Sequence, residues 1–265
     1  MDVRARSAID SVSLKKRLIP ALLLKNGRCV KGRQFGAYRD TGNPLTAARV
    51  YDAQGADELV LLDITATFEG RETTLDIVRH VAEECFMPLC VGGGIRTVED
   101  VGLLLRNGAD KVSINTAAVE RPMVIEEAAH RFGNQAVVVS IDVRRGEDGS
   151  PQVFTHAGQQ PTGLDPVDWA RRAVDLGAGE IFLTSIDREG TMEGYDLELV
   201  RSVAEALTVP VIAHGGCGTL QHLVTALTEG HADAVSCASM LHFTDQSVIK
   251  ARAHMKTYGV DVRIA

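Results

Sequence analysis

The chain has 265 residues, of which 45% are hydrophobic and 24% are charged, and its formal net charge at pH 7 is −7. This is the composition of a globular protein with a large core, and the negative charge argues against nucleic acid or an anionic membrane as a partner. No apolar run approaches the length of a membrane span. Residues 1–16 are polar and lack a signal-peptide core, so they are predicted to form an extension outside the fold.

The five cysteines and eight histidines give no sign of a disulfide framework or a metal site. An odd number of cysteines in mostly apolar surroundings is typical of buried free thiols in a reducing compartment. No spacing among these residues resembles a metal-binding motif. The sequence therefore predicts a cytoplasmic protein with no metal or organic cofactor.

Short apolar runs alternate along the chain with segments of helical periodicity. Eight of the runs are almost continuously apolar, as strands are when both faces of a parallel sheet are covered. The predicted strands span residues 17–24, 58–64, 88–93, 111–115, 136–143, 180–186, 210–216 and 234–239.

The segments between these runs place apolar residues on one helical face, for example over residues 74–85, 167–177 and 197–207. Several of them end in glycine, which favours helix termination. Eight strand–helix units predict an α/β fold, a single (β/α)8 TIM barrel over residues 17–265, with its active site at the carboxyl ends of the strands. An open doubly wound sheet is the alternative, but it does not require eight such regular units.

The second half of the chain repeats motifs of the first half. GADELVLLDI (55–64) matches GAGEIFLTSI (177–186), VGGGIRTVED (91–100) matches AHGGCGTLQH (213–222), and GADKVSINTAA (108–118) matches HADAVSCASM (231–240). Each copy is displaced by about half the chain. The barrel is therefore predicted to consist of two related half-barrels, about 17–133 and 134–265.

Each half-barrel has a glycine loop between a predicted strand and a helical pattern. Glycine allows an anion to lie against bare backbone, and a helix N-terminus attracts negative charge. Glycines kept only for packing are the alternative, but the polar residues after the next strand suit an anion. Two such loops predict a substrate with a phosphate at each end. The candidate residues are Gly93, Gly94, Asn115 and Thr116, then Gly215, Gly216, Ala238 and Ser239.

From about residue 16 onward, the chain resembles the HisF family, the cyclase subunits of imidazole glycerol phosphate synthase. The shared motifs include KNGRCVKG, GADELVLLDITA, EGRETTLDIV, VGGGIRTVEDV, GADKVSINTAAV and GAGEIFLTSIDREGT. The resemblance implies a barrel of histidine biosynthesis that takes ammonia from a HisH-like glutaminase and adds it to a bisphosphorylated ribonucleotide. The expected products are imidazole glycerol phosphate and an aminoimidazole carboxamide ribotide.

The resemblance also implies an ammonia entrance at the bottom of the barrel. The family's ring of alternating charges matches Arg17, Glu58, Lys111 and Glu180, each at the start of a predicted strand. The alternative is a salt-bridged plug that only stabilises the barrel. Asp110 matches a position that contacts the glutaminase, so a partner is expected on the N-terminal face.

At the opposite end, the family uses two carboxylates. One of them, on strand 5, matches Asp142, and a family lysine close to the substrate matches Lys31. Thr184, Glu189 and Gly190 match substrate-binding positions on strand 6 and its loop.

This chain departs from the family at the second carboxylate, where strand 1 has Leu23. Leucine cannot transfer a proton, and the loss of one positioned acid or base typically costs about 10² to 10⁴ in rate. His214 replaces a family serine and could serve as a substitute acid or base, or as a cation for phosphate. A histidine with a structural hydrogen bond is the alternative. Glu189 replaces a family aspartate.

Two further functions stay open at this stage. HisF paralogues that accompany surface-polysaccharide genes use ammonia to convert a sugar acetamido group into an acetamidino group. The segments PALLL and ECFMPLC of this chain resemble those paralogues. A non-catalytic barrel that only conducts ammonia or binds the glutaminase is the other alternative.

Overall fold

Eight parallel strands close into a barrel in the computed structural model, which describes residues 15–66 and 75–263. Each barrel strand pairs in parallel with the next, and the last pairs with the first. The predicted TIM barrel is confirmed, and the predicted strand ends agree to within two residues. The barrel strands are β1 (Arg17–Lys25), β4 (Leu59–Asp63), β5 (Leu89–Gly92), β6 (Lys111–Ile114), β7 (Val137–Arg145), β10 (Glu180–Ser185), β11 (Val211–His214) and β12 (Ala234–Cys237).

Helices surround the barrel and bury its outer face. The first begins where it does because the Asn43 side chain accepts hydrogen bonds from the next backbone N–H groups and Pro44 presets the first helical turn. Within residues 15–66 and 75–263, no helix is both long and apolar enough to cross a bilayer. The helices are Pro44–Ala53, Leu75–Glu84, Val98–Arg106, Thr116–Glu120, Met123–Phe132, Pro166–Asp175, Leu197–Ala206, Leu220–Thr228, Ser239–Phe243 and Val248–Thr257, with a 3-10 turn at Asn134–Ala136.

The three helical segments for which the sequence analysis gives residue ranges are helices in the structure, at Leu75–Glu84, Pro166–Asp175 and Leu197–Ala206. Residue 74, the first of the predicted 74–85 segment, lies outside the described residues. Residues 1–14, which make up most of the predicted extension, also lie outside them.

Two antiparallel hairpins add strands that the periodicity does not predict. β2 (Arg28–Arg33) and β3 (Gly36–Gly42) follow β1, and β8 (Pro151–Thr155) and β9 (Gln160–Pro161) follow β7. They are largely polar, so they lack an apolar run. Each follows the first strand of a predicted half-barrel, so the two hairpins lie at matching places in the two halves.

Alternation of side chains along the strands separates two apolar layers. One lies inside the barrel, where Ile19, Val60, Phe182 and Ile212 meet. The other, larger layer lies between the sheet and the helices. Near-continuous burial of the strands follows from this two-sided packing.

Aspartates at the N-terminal face hold neighbouring strands together. Asp110 accepts a hydrogen bond from the Leu89 backbone N–H at 2.8 Å. Asp57 and Asp233 make the corresponding contact with residues near the starts of β1 and β11. The exposed Asp110 carboxylate thus has a structural contact within this chain.

A buried ion pair joins the last helix to the first half-barrel. Arg252 Nη2 lies 3.2 Å from Asp57 Oδ1, and the two side chains are 10% and 2% exposed. Arg252 also donates to the Gly55 carbonyl. Because Asp57 is buried, its charge depends on this cation for compensation.

Replacing Arg252 with methionine is expected to lower the free energy of unfolding by about 2–4 kcal/mol, since Asp57 then lacks its cation. Lys250→Met on the same helix is the control, because the Lys250–Asp245 pair is exposed and is expected to contribute less than about 0.5 kcal/mol. Denaturant unfolding measures both. Equal losses in the two variants would contradict a special role for Arg252.

Candidate active site

A cavity of about 130 Å³ opens at the carboxyl ends of the barrel strands. It is large enough for several water molecules, and its wall includes the β2–β3 hairpin as well as strand ends. The structure brings together here many residues singled out from the sequence: Leu23, Gly93, Gly94, Asn115, Thr116, Asp142, Thr184, Glu189 and His214.

A narrow cleft of about 10 Å³ adjoins this cavity and shares Glu189 and His214 with it. Its volume corresponds to about one water molecule, so a larger ligand needs some movement of its wall. The remaining sequence-predicted mouth residues lie here: Lys31, Gly190, Gly215, Gly216, Ala238 and Ser239.

Asp142 is one of three buried carboxylates in the wall of the cavity, with Asp63 and Glu189. The Asn115 side-chain amide donates to its Oδ2 at 3.0 Å, and Thr184 makes a second side-chain hydrogen bond. Burial raises the pKa of Asp142 to about 7, although the hydrogen bond from Thr184 acts to lower it. The group therefore exchanges protons near neutral pH from a fixed orientation.

Leu23 lies in the same cavity, and its side chain is 7% exposed. In the sheet it pairs with Leu62 of β4 and Val30 of β2. The position at which the family resemblance expects a second carboxylate is therefore an apolar part of the wall.

Lys31 and Glu189 form an ion pair in which both side chains are only 2% exposed. Burial lowers the pKa of Lys31 to about 8, while the adjacent carboxylate favours the charged amine. The Gln34 backbone N–H donates to the Glu189 carbonyl at 2.8 Å, and the Gln34 side chain donates to the Asp187 carbonyl at 2.9 Å. These contacts fasten the β2–β3 hairpin to the loop after β10.

His214 ends β11 and stacks on Phe182 with ring centroids 5.0 Å apart. Its ring bonds to the Ser236 backbone, and because Nδ1 has no partner among the described residues, this bond is assigned to Nε2. Burial, and then the charge of Lys31, lower the pKa of His214 to about 3. His214 is therefore neutral at physiological pH, which argues against a substitute acid or a cation for phosphate.

The glycine loops have a packing requirement of their own. Gly93 and Gly215 occupy equivalent places in the two halves, with φ of +98° and +93°. A Cβ atom would lie 2.1 Å from the Asp63 carbonyl oxygen at Gly93 and 2.6 Å from the Ser185 carbonyl oxygen at Gly215. Glycine is thus required at both positions even without a ligand.

Side chains cap the helices directly after these loops. Thr97 and Asp100 form a capping box at Val98–Arg106, and Thr219 caps the corresponding helix of the second half. The caps satisfy some of the N-terminal N–H groups of these helices, and an anion at the glycine loops stays a prediction. The helices at the mouth without a side-chain cap are the short ones, Thr116–Glu120 and Ser239–Phe243.

The polar residues at the starts of the short helices are partly engaged within the chain. Besides its bond to Asp142, the Asn115 amide donates to the Ser140 carbonyl at 3.2 Å. The Thr116 hydroxyl accepts a hydrogen bond from the His156 backbone N–H at 3.1 Å. Ser239 is buried in the wall of the narrow cleft.

A closed ring of four charges lies at the opposite, N-terminal end of the barrel. Arg17 contacts Glu58 at 2.7 Å and Glu180 at 3.1 Å, and Lys111 contacts the same two carboxylates at 2.7 and 3.0 Å. Burial raises the pKa of Glu58. Burial acts to lower the pKa of Lys111, but the two carboxylates outweigh it and the pKa is raised. The structure thus unites all four residues predicted from the resemblance.

Metal-ligating side chains do not form a second candidate site in the described part of the chain. Across residues 15–66 and 75–263, no cluster of three or more His, Cys, Asp or Glu side chains could hold a metal ion. The five cysteines are free and buried, as the sequence predicts.

The cavity residues not identified from the sequence include Phe35, Tyr38 and Asp63. The first two reach the mouth on the β2–β3 hairpin. One signal was available, since the Asn26-Gly27 dipeptide between apolar runs is typical of a two-residue hairpin turn, and both residues have positive φ in the structure.

Comparison with known protein families agrees with this architecture. The model of a family described as histidine biosynthesis protein matches residues 17–247. The chain belongs to this family, which includes HisF and HisA and whose members are isomerases or cyclases.

The raised pKa of Asp142 predicts a pH-dependent cost in stability. Between about pH 4, where an unfolded aspartate titrates, and about pH 7, where native Asp142 titrates, the unfolded chain binds fewer protons than the native state. Wild-type stability therefore falls as pH rises through this window. Asp142→Asn has no ionisable group at this position, so it does not lose stability in this way. Its free energy of unfolding relative to wild type should therefore grow from pH 4 to pH 8, by at most about 4 kcal/mol.

Thermal unfolding at a series of pH values measures this difference. Asp148→Asn is the control, because hydrogen bonds from Ser150 lower the pKa of that exposed carboxyl and its effect should have the opposite sign. A difference between Asp142→Asn and wild type that does not change with pH would contradict the assigned pKa.

Proposed function

We propose that this chain is a HisF-like synthase subunit that uses ammonia from a partner glutaminase on a bisphosphorylated, nucleotide-type substrate. The observation that carries the proposal is the closed ring of four charges at one end of a barrel whose other end holds Asp142. An isomerase of the family needs no second entrance, because isomerisation consumes no further reactant. A synthase needs a route for ammonia.

The barrel interior between its two ends supports such a route. It is apolar, with Ile19, Val60, Phe182 and Ile212 among its side chains. Neutral ammonia enters an apolar interior at far lower cost than ammonium, because an isolated ion must give up its hydration. The ring therefore is expected to pass ammonia in its neutral form when one of its ion pairs moves aside.

Asp142 supplies acid–base chemistry at the mouth. A carboxyl group with a pKa of about 7 is present in both protonation states near neutrality, which suits a general acid or base. Its bonds to Asn115 and Thr184 fix its direction. Lys31 is a cation in the adjoining cleft, and its pairing with Glu189 favours its charged form in a buried place.

The two-fold repeat supports a substrate with two phosphates. Each half contributes a glycine loop and a short helix without a side-chain cap at the mouth, Thr116–Glu120 in one half and Ser239–Phe243 in the other. Unpaired backbone N–H groups at such ends are suitable for phosphate oxygens.

Leu23 favours a second candidate, the paralogue that supplies ammonia for sugar amidination. An apolar wall at that position leaves Asp142 without the strand-1 carboxylate of the family pattern. A barrel that only conducts ammonia is less well supported, because the mouth keeps the buried Asp142 and the Lys31–Glu189 pair.

Ammonium-dependent turnover of the bisphosphorylated ribonucleotide of histidine biosynthesis tests the first candidate. Excess ammonium at alkaline pH removes the need for a glutaminase. Wild type is expected to be slow, and Leu23→Asp to be faster by about 10² to 10⁴, since it restores a positioned acid or base. Asp142→Asn should abolish turnover in both backgrounds.

Leu23→Asn is the matched control, because asparagine has the shape of aspartate but does not ionise. A gain in Leu23→Asp alone identifies the proton as the missing element. If no variant turns over the ribonucleotide, the histidine-type reaction is wrong for this chain. If wild type is fast and Leu23→Asp adds nothing, the argument from the missing carboxylate is wrong.

The proposed partner would bind the N-terminal face. Phe86, between the helix Leu75–Glu84 and β5, is 92% exposed at this face. A large exposed aromatic side chain is a typical anchor of a protein interface. Asp110, expected from the resemblance to contact the glutaminase, lies at the same end of the barrel.

Phe86→Ala is expected to weaken binding of a purified HisH-like glutaminase by about 30-fold, equivalent to about 2 kcal/mol, if Phe86 is an anchor. Phe243→Ala is the control, because Phe243 is 53% exposed but follows β12 at the opposite end. Calorimetric titration measures both. Equal affinity of the two variants, or no binding by wild type, would contradict the proposed docking face.

A further inference from the structure

The cavity around Asp142 contains a second group able to donate a proton. Its titratable side chains are Tyr38, Asp63, Asp142, Glu189 and His214. Three of these are committed elsewhere. Glu189 pairs with Lys31. One carboxylate oxygen of Asp63 accepts from the Thr65 and Ala66 backbone N–H groups. His214 bonds to Ser236.

Tyr38 enters the cavity from the β2–β3 hairpin, and the hairpin fixes its ring. A Cβ atom on Gly32 would lie 2.8 Å from the Tyr38 ring. The ring can occupy this position because Gly32 has no side chain. Lys25 Nζ lies 5.6 Å from the ring centroid, within the range of a cation–π contact. The Gln34 contacts described above hold the same hairpin closed over the mouth.

The phenol and the Asp142 carboxylate interact electrostatically. Burial raises the pKa of Tyr38, and the charge of Asp142 raises it further. The phenol is therefore protonated at neutral pH and presents an O–H donor to the cavity. The charged groups that interact with Tyr38 are Lys25, which lies over its ring, and Asp142. Lys31 lies on β2 of the same hairpin and pairs with Glu189 of the loop after β10.

We propose that the Tyr38 phenol is the hydrogen-bond donor that contacts the substrate across the mouth from Asp142, where Leu23 provides no acid. The inference deepens the proposed function, on which it rests for the identity of the substrate. The phenol O–H donates to an oxygen or nitrogen of the substrate, while the Asp142 carboxylate accepts from the other side. A phenol and a carboxylate then provide the donor and the acceptor that two carboxylates provide in the family pattern.

Kinetics of four proteins test the role of Tyr38: wild type, Tyr38→Phe, Leu23→Asp and the double variant. With the bisphosphorylated ribonucleotide and excess ammonium, Tyr38→Phe is expected to lower kcat by about 10²-fold or more with little change in KM. In the Leu23→Asp background the loss should be much smaller, because the new carboxyl group supplies the acid. Tyr258→Phe, at an exposed tyrosine near the end of the chain, should change nothing.

A wild-type kcat and pH profile in Tyr38→Phe would overturn the inference. So would equal losses in the two backgrounds, since that pattern indicates damaged packing. The phenylalanine ring in Tyr38→Phe is expected to pack against Gly32 as the tyrosine ring does. Thermal unfolding should therefore show an intact fold whether or not kcat falls.

A spectroscopic titration separates this inference from the proposed function. The difference in phenolate absorbance between wild type and Tyr38→Phe reports the titration of Tyr38 alone. In an Asp142→Asn background this titration should move to lower pH, because the opposing charge is gone. An unchanged curve overturns the inference even if the ribonucleotide is turned over. A shifted curve with no turnover by any variant supports the position of Tyr38 and rejects the proposed substrate.

Discussion

Closure of the parallel sheet is the constraint on which both ends of this molecule depend. β12 pairs with β1 in parallel, and every barrel strand runs in the same direction. Alternate side chains of each strand therefore point into one common interior. The first residues of the strands line one opening of the barrel, and the last residues line the other. Arg17 enters the charged ring and Leu23 enters the mouth because they are six residues apart on one strand. A register shift by one residue would turn both out of the barrel.

The two ends of the barrel compensate in different ways for the desolvation of their buried charged groups. In the ring, each carboxylate contacts two cations, so the charges compensate one another. At the mouth, Lys31 is matched with Glu189, and Asp142 receives neutral donors from Asn115 and Thr184. Neutral donors orient a carboxylate without stabilising its charge as fully as a cation does. The mouth therefore has a carboxyl group that changes protonation near pH 7, at the expense of stability.

The parts of the fold that bury apolar surface could be predicted from the sequence. All eight barrel strands appear as apolar runs, and the four members of the charged ring, named from the family resemblance, each start such a run. The polar hairpins could not, since neither β2–β3 nor β8–β9 has an apolar face of its own. Tyr38 was missed with its hairpin. The glycine loops were located correctly, but their physical basis required coordinates: no sequence pattern shows that the Asp63 carbonyl occupies the space of a Cβ on Gly93.

The replacement at Leu23 changes how the remaining carboxylate works. Two facing carboxylates raise the pKa of one another and share the tasks of acid and base. Here the leucine contributes apolar wall, so the pKa of Asp142 is raised by burial and not by a second charge. A lone carboxyl group can give a proton in one step and take one in another, but it cannot do both at once. The other titratable groups at the strand ends, Asp63 and His214, hydrogen-bond within the chain, so a simultaneous transfer is expected to draw on a donor from outside the barrel strands. The β2–β3 hairpin, fastened by Gln34 to the loop after β10, is the element positioned to supply it, so the loss of the strand-1 carboxylate makes the chemistry depend on a closed hairpin.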